Sequence, residues 1–357
     1  MTDDVLCDLA VSLLPGMNIR KLQQLQEAGI QTRQFLRETP DNISGPALDD
    51  ASSEIEYCRS QGIRILAYQQ EGYPRRLAEI PDAPMVIYVL GNADLDSIHW
   101  LSVVGTRRCT AYGAGICRHL TADIAEAGIK ATITSGLATG IDTAAHIGAL
   151  ESHLPTIAVL AHGLDMLYPA DNRKLAARIL HEGGALISEY RRGFHPMKRT
   201  FLERNRIVAG LSDATVIVES DVKGGAMSTA RLALEYNREV FAFPGRAGDY
   251  ESRGCNKLIK TQRAALAESA ADIVSEMRWE HAPSHKPDAL QPTLFAELTD
   301  EEKAICSFIR EKSVPATIDE LYEATGMDVR QLTALLTEME FDGKISRRAG
   351  NRFVLSR

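Results

Sequence analysis

The stretch LSVVGTRRCTAYG, Leu101 to Gly113, sets the fold. Its apolar run LSVV has the character of a buried strand and stops at Gly105. Polar residues follow, and Tyr112-Gly113 opens a segment of helical length, Gly113 to Ala127. A strand, a glycine turn and a helix in that order form the repeating unit of a parallel sheet. In the loop Gly105-Thr106-Arg107-Arg108 the glycine permits close backbone approach, and the amino end of the helix favours an anion. This is the geometry of a phosphate site but not of a dinucleotide one. GxGxxG is absent, and no acidic residue is placed for a ribose.

The same alternation runs from Tyr73 to about Met277. Candidate strands are Val86 to Leu90, Leu101 to Val104, Ala131 to Thr134, Thr156 to Ala161, Ala185 to Ser188, Ala214 to Glu219 and Val240 to Phe243. Helix-length segments lie between most of them: Gly113 to Ala127, Asp142 to Glu151, Asn172 to Glu182, Lys198 to Leu211 and Met227 to Tyr236. Such a chain folds as a parallel sheet covered on both faces, whose ligands bind at the carboxyl ends of the strands. The loops there carry the information. In SGLATGID, Ser135 to Asp142, Gly136 and Gly140 allow a tight turn, and Ser135 or Thr139 suits a helix cap. Asp142 and His146, four apart, fit a capping carboxylate and a packed imidazole better than an acid-base pair. HGLDMLYP, His162 to Pro169, forms another loop. In DVKGGAMSTARLALEY, Gly224 and Gly225 precede Ser228 and Thr229 at a helix start, which makes an anion-binding nest.

One segment at that sheet edge reverses the sign of the chain. The 357 residues carry a net charge of -8, yet RRGFHPMKRTFLERNR, Arg191 to Arg206, sets Arg191, Arg192, Lys198, Arg199, Arg204 and Arg206 against Glu203 alone. A solvated basic face is the ordinary reading of a charge run. Interleaving with Phe194, His195 and Phe201 is also what single-stranded nucleic acid asks for, with cations for phosphates and rings for bases. Both readings stand at this level.

Hydrophobic residues at 45% and charged residues at 25% are the make-up of a soluble globular protein. No apolar run approaches membrane length, and the acidic start MTDDVLCDLA is unlike a secretory leader, so a cytoplasmic protein is expected. The six cysteines include no CxxC pair and read as reduced, structural thiols. No metal-ligand cluster and no Ser-His-Asp or Cys-His set with recognisable spacing appears, so no metal, cofactor or catalytic residue is expected.

Residues 1 to 70 read as short helices broken at Pro15-Gly16, Gly29 and Pro40. LLPGMNIRKLQQLQEAG, Leu13 to Gly29, has the outline of a helix-hairpin-helix, but only Arg20 and Lys21 flank the turn, which favours a packing domain. From 279 to 296 the text is polar, proline-containing and aperiodic, as in a linker. Beyond it, Thr299 with Glu302 makes a capping box for a helix over Ala304 to Lys312, and Thr317 to Ala324 and Asp328 to Asp342 give two more. A final hairpin turning at Gly350-Asn351 completes a winged-helix pattern. Its recognition helix sets Arg330 against Glu338, Glu340 and Asp342, which suits a protein-contact or weak DNA-contact module better than a duplex reader.

In order and in spacing, VVGTRRCTAYG, SGLATGIDTAAHIGAL, TIAVLAHGLDMLYP, ALISEY, FLERNRIVAGLSDATVIVES and FAFPG resemble the DNA-processing protein A family, also called DprA or Smf. The resemblance implies an α/β chain with an extended Rossmann-like parallel-sheet domain over 71–278. A helical domain of SAM or helix-hairpin-helix type precedes it over 1–70, and a winged helix follows over 297–357. It also implies a homodimer that binds and protects single-stranded DNA without cleaving it and loads the RecA recombinase onto it during natural transformation. The family's DNA pocket is lined by the arginine of the GxR loop and the lysine and phenylalanine before RNR, here Arg107, Lys198 and Phe201. Gly105, Thr106, Ser135, Gly136, Gly224, Gly225 and Ser228 complete the expected DNA site. Arg204 and Arg206 stand as phosphate contacts, or one of them as a buried partner of Glu189 or Glu219. Two departures affect the anion contacts: Gly224-Gly225-Ala226 replaces the usual SGS, and Gln262-Arg263-Ala264 replaces a glycine-alanine.

A competing class is the nucleotide-hydrolysing enzyme of lysine-decarboxylase-like, cytokinin-activating type, whose signature is PGGxGTxxE. GGAMSTARLALE resembles it, but aligning the glycines puts Arg231 where the catalytic glutamate belongs, and Glu235 lies a turn further on. A guanidinium does not release its proton and cannot serve as that acid-base group.

Overall fold

The computed structural model describes residues 3–279, 299–312, 316–341, 344–348 and 352–355. The linker proposed over 279–296, apart from Trp279, and the Gly350-Asn351 turn lie outside them. The chain divides into two compact units, Met1–Ser284 and His285–Arg357.

The first unit is built on a nine-stranded sheet. Its strands are β1 (Ile63–Ala67), β2 (Val86–Gly91), β3 (His99–Val104), β4 (Ala131–Ser135), β5 (Thr156–Leu160), β6 (Ala185–Ser188), β7 (Ala214–Ile217), β8 (Glu239–Ala242) and β9 (Ala265–Leu266). Their spatial order is β1-β2-β6-β5-β4-β3-β7-β8-β9. The block from β6 to β9 is parallel throughout. Its inner strands are buried on both faces, which is why they read as unbroken apolar runs. The helices Ala111–Glu126 and Ile141–Glu151 share one buried cluster, through Ile116, Leu120, Ile124 and Ala145. Lys198–Gly210 and Gly225–Glu235 belong to another, through Ile207, Val208, Ala226 and Ala230. Between β4 on one side and β7 on the other, β3 is the topological switch point, where the strand order reverses and a crevice opens.

The expected parallel sheet carries an antiparallel edge: β1 pairs with β2, and β2 with β6, in antiparallel register, with Ile65 opposite Tyr88 and Tyr88 opposite Ser188. Antiparallel pairing needs no crossover helix, and only the one-turn helix Arg75–Ala78 lies between β1 and β2. One reading is corrected: residues 1–70 are not all helical. Ile63–Ala67 is a strand, and Leu9, Val11, Ala51 and Cys58 of the preceding helices lie in one buried cluster with Ile65, Tyr88 and Ile187 of the sheet. The Pro15-Gly16 turn is present between the helices Asp3–Leu13 and Ile19–Glu27. There Lys21 Nζ donates to the Gly16 carbonyl at 2.8 Å, so this cation serves the turn itself.

The second unit contains the helices Asp300–Glu311, Ile318–Thr325 and Val329–Phe341 and the strands Ala316–Thr317, Ile345–Arg348 and Arg352–Leu355. Its core gathers Ile305, Ile309, Leu321, Leu332, Leu336, Met339, Ile345 and Phe353. Capping boxes open its first two helices, Thr299 with Glu302 and Thr317 with Glu320.

Candidate functional site

A cleft of about 790 Å³ lies at the carboxyl ends of the parallel strands. The loops after β3, β4, β5, β6, β7 and β8 all contribute to it. Two glycines let these loops close on one another. A Cβ at Gly136 would meet Nη1 of Arg204 at 1.8 Å, so only glycine leaves room for that guanidinium. Gly140 adopts φ +83° with its α-carbon against the Thr106 carbonyl, where a Cβ would stand 2.3 Å from the oxygen.

Of the twelve expected DNA-site residues, Gly105, Thr106, Arg107, Gly136, Lys198, Phe201, Arg204, Gly224 and Gly225 line this cleft. Arg107 and Lys198 are exposed in it. The Arg107 guanidinium carbon stands 4.8 Å from the Phe201 ring centroid. On Phe201 also rests Tyr168, at 5.8 Å between centroids and an interplanar angle of 54°. The glycines Gly224 and Gly225 begin the helix Gly225–Glu235, whose amino end faces the cleft with no side-chain cap.

The other expectations divide. Ser135 is buried, with its hydroxyl donating to the Val103 carbonyl at 2.7 Å, and is a strand-to-strand tie. Ser228 is half-buried and stays outside the cleft, which its neighbour Thr229 lines instead. The Thr106 amide is taken by the Glu219 carbonyl at 2.7 Å, so its backbone is closed to an incoming phosphate. Arg206 lies away from the cleft and is paired with Glu189, with Asp82 at 3.9 Å. Burial pulls its guanidinium down, but Glu189 and Asp82 outweigh burial and hold it above the ordinary value. Arg204 is buried at the cleft floor, where Nη1 donates to the Val159 carbonyl at 2.6 Å. Burial lowers its pKa, while Asp142 opposes that shift. Burial conversely raises the Asp142 carboxyl against the pull of Arg204.

His146 is also sealed beneath the floor. Its Nδ1 is 2.7 Å from the Thr156 hydroxyl, and burial, with Arg204 adding to it, pushes its pKa down to about 3. A neutral, packed imidazole fits these surroundings, and an acid-base dyad with Asp142 does not.

The remaining cations of the Arg191–Arg206 segment are spent on the protein. Arg191 pairs with Asp50 at 2.8 Å, and Arg192 with Glu54 at 3.2 Å while covering the Tyr57 ring at 4.9 Å. Both therefore clasp the helix Asp41–Ser60. Arg199 pairs with Glu203 one turn on. Phe194 stacks on Tyr190 at 4.5 Å and is absent from the cleft wall.

The cleft also holds residues outside the expected DNA-site set: Tyr168, Lys223, Arg108 and Tyr250. Tyr168 sits in the quoted HGLDMLYP loop, where a lone aromatic before proline was the available signal. Three carboxylates line the cleft, but Asp142 is offset by Arg204, and Asp221 pairs with Arg253 at 2.9 Å. Glu251 is left against Arg107, Arg108, Lys198 and Lys223, none of which has an ion-pair partner among the described residues. The cleft of an acidic protein is thus positive, with flat faces beside the charge. Among the described residues no group of three or more His, Cys, Asp or Glu could hold a metal, and no helix is long and apolar enough to cross a membrane.

Comparison with known proteins agrees with this architecture. The chain is 33% identical to protein Smf of Escherichia coli over 341 residues, covering 93% of this chain and 87% of that one. The X-ray structure of DNA processing protein A from Streptococcus pneumoniae superposes with a TM-score of 0.64 at 32% identity, over 77% of this chain and 98% of that one. DNA processing protein A from Helicobacter pylori, whose structure describes a single-stranded DNA binding mode, superposes at 0.54 with 33% identity, over 60% of this chain and 95% of that one. The DprA winged helix domain matches residues 287–351. Because the DNA recombination-mediator protein A profile matches residues 64–278, strands and cleft included, the chain belongs to that family.

Proposed function

We propose that the cleft grips single-stranded DNA without reading its sequence, and that the protein shelters the strand and hands it to the RecA recombinase in natural transformation without cleaving it. The observation that carries this reading is the grouping of Arg107, Phe201 and Tyr168 beside Lys198 in one open cleft. Phosphates find uncompensated cations there, and an unpaired base finds a flat face, a contact worth about 1 to 3 kcal/mol per base. A duplex hides its base faces and cannot use the rings. The single-strand binding mode of the Helicobacter pylori relative supports the same assignment. Arg107 already covers one face of Phe201, so an entering base either stacks on the outer side of the guanidinium or displaces it.

RecA loading, action as a homodimer and a cytoplasmic setting are carried over from the family resemblance, and the matched profile's description as a DNA recombination mediator is in line with the first of them. Against the hydrolytic alternative, Arg231 occupies the glutamate position and pairs with Glu235 at 2.6 Å on an exposed helix face, outside the cleft lining. Fluorescence anisotropy with single-stranded and duplex oligonucleotides tests the reading on the wild type, Arg107→Ala and Lys198→Ala. Tighter binding of the single strand, weakened in both variants, is expected. Equal affinity for the two DNA forms, or indifference to both substitutions, refutes it. Release of free base from a nucleoside monophosphate by the purified protein would favour the enzyme instead. Light scattering tests the homodimer, and RecA filament nucleation on bare strands tests loading.

A further inference from the structure

On the far flank of the same cleft stands a second aromatic arrangement that neither the family motifs nor the Arg191–Arg206 segment contains. Tyr250, in the segment after β8, is 58% exposed and lines the cleft wall. An exposed tyrosine ordinarily samples several rotamers, but this one is held from two directions. Arg253 lies over its ring, with the guanidinium carbon 4.2 Å from the centroid. The Asp221 carboxylate acts on its hydroxyl and raises the phenol above its ordinary range, and Asp221 pairs in turn with Arg253 at 2.9 Å. The triangle Tyr250-Arg253-Asp221 buries little apolar surface, so core packing does not account for it. What it provides is an aromatic face held in place in advance, with a cation on its back.

Topology separates this ring from the first platform. Tyr168 follows β5 and Phe201 follows β6, on one side of the switch strand β3, whereas Tyr250 follows β8 on the other. Four strand positions divide β5 from β8, and the loops lean inward from them: Arg107 after β3 reaches Phe201, and the Glu251 carbonyl beside Tyr250 accepts from the Ser220 amide after β7. The amino end of Gly225–Glu235 and the exposed Lys223 line the same cleft and suit the phosphates of a bound strand.

We infer that Tyr250, braced by Arg253 and Asp221, is a second base-stacking platform, so that one single strand crosses the switch point and is held at both ends of the cleft. The inference rests on the single-strand reading of the cleft and adds to it a residue.

The test compares wild type, Tyr250→Ala and Tyr250→Trp by anisotropy on labelled (dT)20, on oligothymidines of 3 to 12 nucleotides, and on a 20-mer of abasic units. Tyr250→Ala should weaken (dT)20 binding by roughly 5- to 150-fold, the range for loss of one base stack. Tyr250→Trp should retain the affinity. The rise in affinity with length should flatten in Tyr250→Ala once the strand is long enough to reach both platforms. On the abasic strand all three proteins should bind alike. Unchanged (dT)20 affinity in Tyr250→Ala overturns the platform, as does an equal loss on the abasic strand, because the ring would then be serving the backbone. Arg107→Ala, run in parallel, keeps the two readings apart: if it weakens binding and Tyr250→Ala does not, the cleft assignment stands and the second platform falls. Unchanged thermal unfolding of Tyr250→Ala is expected, since its ring is mostly in solvent.

Discussion

Lys198 and Arg204 stand on one helix, less than two turns apart, and are put to opposite use. Lys198 reaches into the open cleft and meets no carboxylate among the described residues. Arg204 points beneath it, into a sealed layer with Asp142 and His146, and spends its charge on the Val159 carbonyl. Identical sign and near-identical position therefore decide nothing about a role in binding. What separates the two is whether the protein has already claimed the charge. By that criterion the open layer takes in Arg107, Arg108, Lys198 and Lys223, beside the rings of Phe201 and Tyr168, and the sealed layer is scaffold.

The contrast breaks most visibly if the sealed layer is removed. Arg204→Ala strips the buried Val159 carbonyl of its donor, removes the cation near the buried Asp142 carboxylate and opens a cavity, and should lower the unfolding free energy measured in urea by about 2 to 5 kcal/mol. Next in size is the pH dependence that His146 imposes. Its folded pKa is depressed to about 3 from an ordinary 6.5, so below pH 6.5 the unfolded chain takes up a proton that the folded chain refuses. Stability from this group is whole above pH 6.5 and is lost at about 1.4 kcal/mol per pH unit as the pH falls toward 3. Denaturation series at several pH values should show that slope shrink in His146→Gln. Open-layer substitutions should behave differently. Arg107→Ala should weaken single-strand affinity about 10- to 100-fold. Its unfolding free energy should stay within about 0.5 kcal/mol of wild type. Lys198→Ala should reduce the slope of log affinity against log salt by about 0.7, the value for one phosphate contact on a single strand. The smallest effect belongs to the clasp on the helix Asp41–Ser60. Arg191→Ala removes a half-exposed pair and should cost under about 1 kcal/mol, with no change in DNA affinity.

The sequence made the central strands legible because burial on both faces leaves uninterrupted apolar runs such as TIAVL and ATVI. It hid β1, since IRILA is five residues long, shows Arg64 to solvent and follows a helix with no breaker stronger than Gly62. At the site, Arg107, Lys198 and Phe201 were recoverable because they sit inside spaced motifs. Tyr168 and Tyr250 were not, because a single aromatic in a loop has no period. Their place in the cleft follows from strand order, which brings residues far apart in the chain to one edge. The charge run overstated the site for the related reason that composition counts cations without showing which ones a carboxylate holds.

The antiparallel seam between β2 and β6 has a consequence for the order in which the protein is made. Residues 86–91 leave the ribosome almost a hundred residues before Ala185–Ser188, the strand beside which they settle. Until then β2 presents a bare edge, covered on one side only by β1, with the amino-terminal helices packed behind it. The start of the chain therefore waits on its middle, and a nascent protein stalled before residue 185 should be prone to strand-mediated association. A fragment ending at residue 70 would inherit the same defect permanently, holding β1 without the neighbour that closes its core.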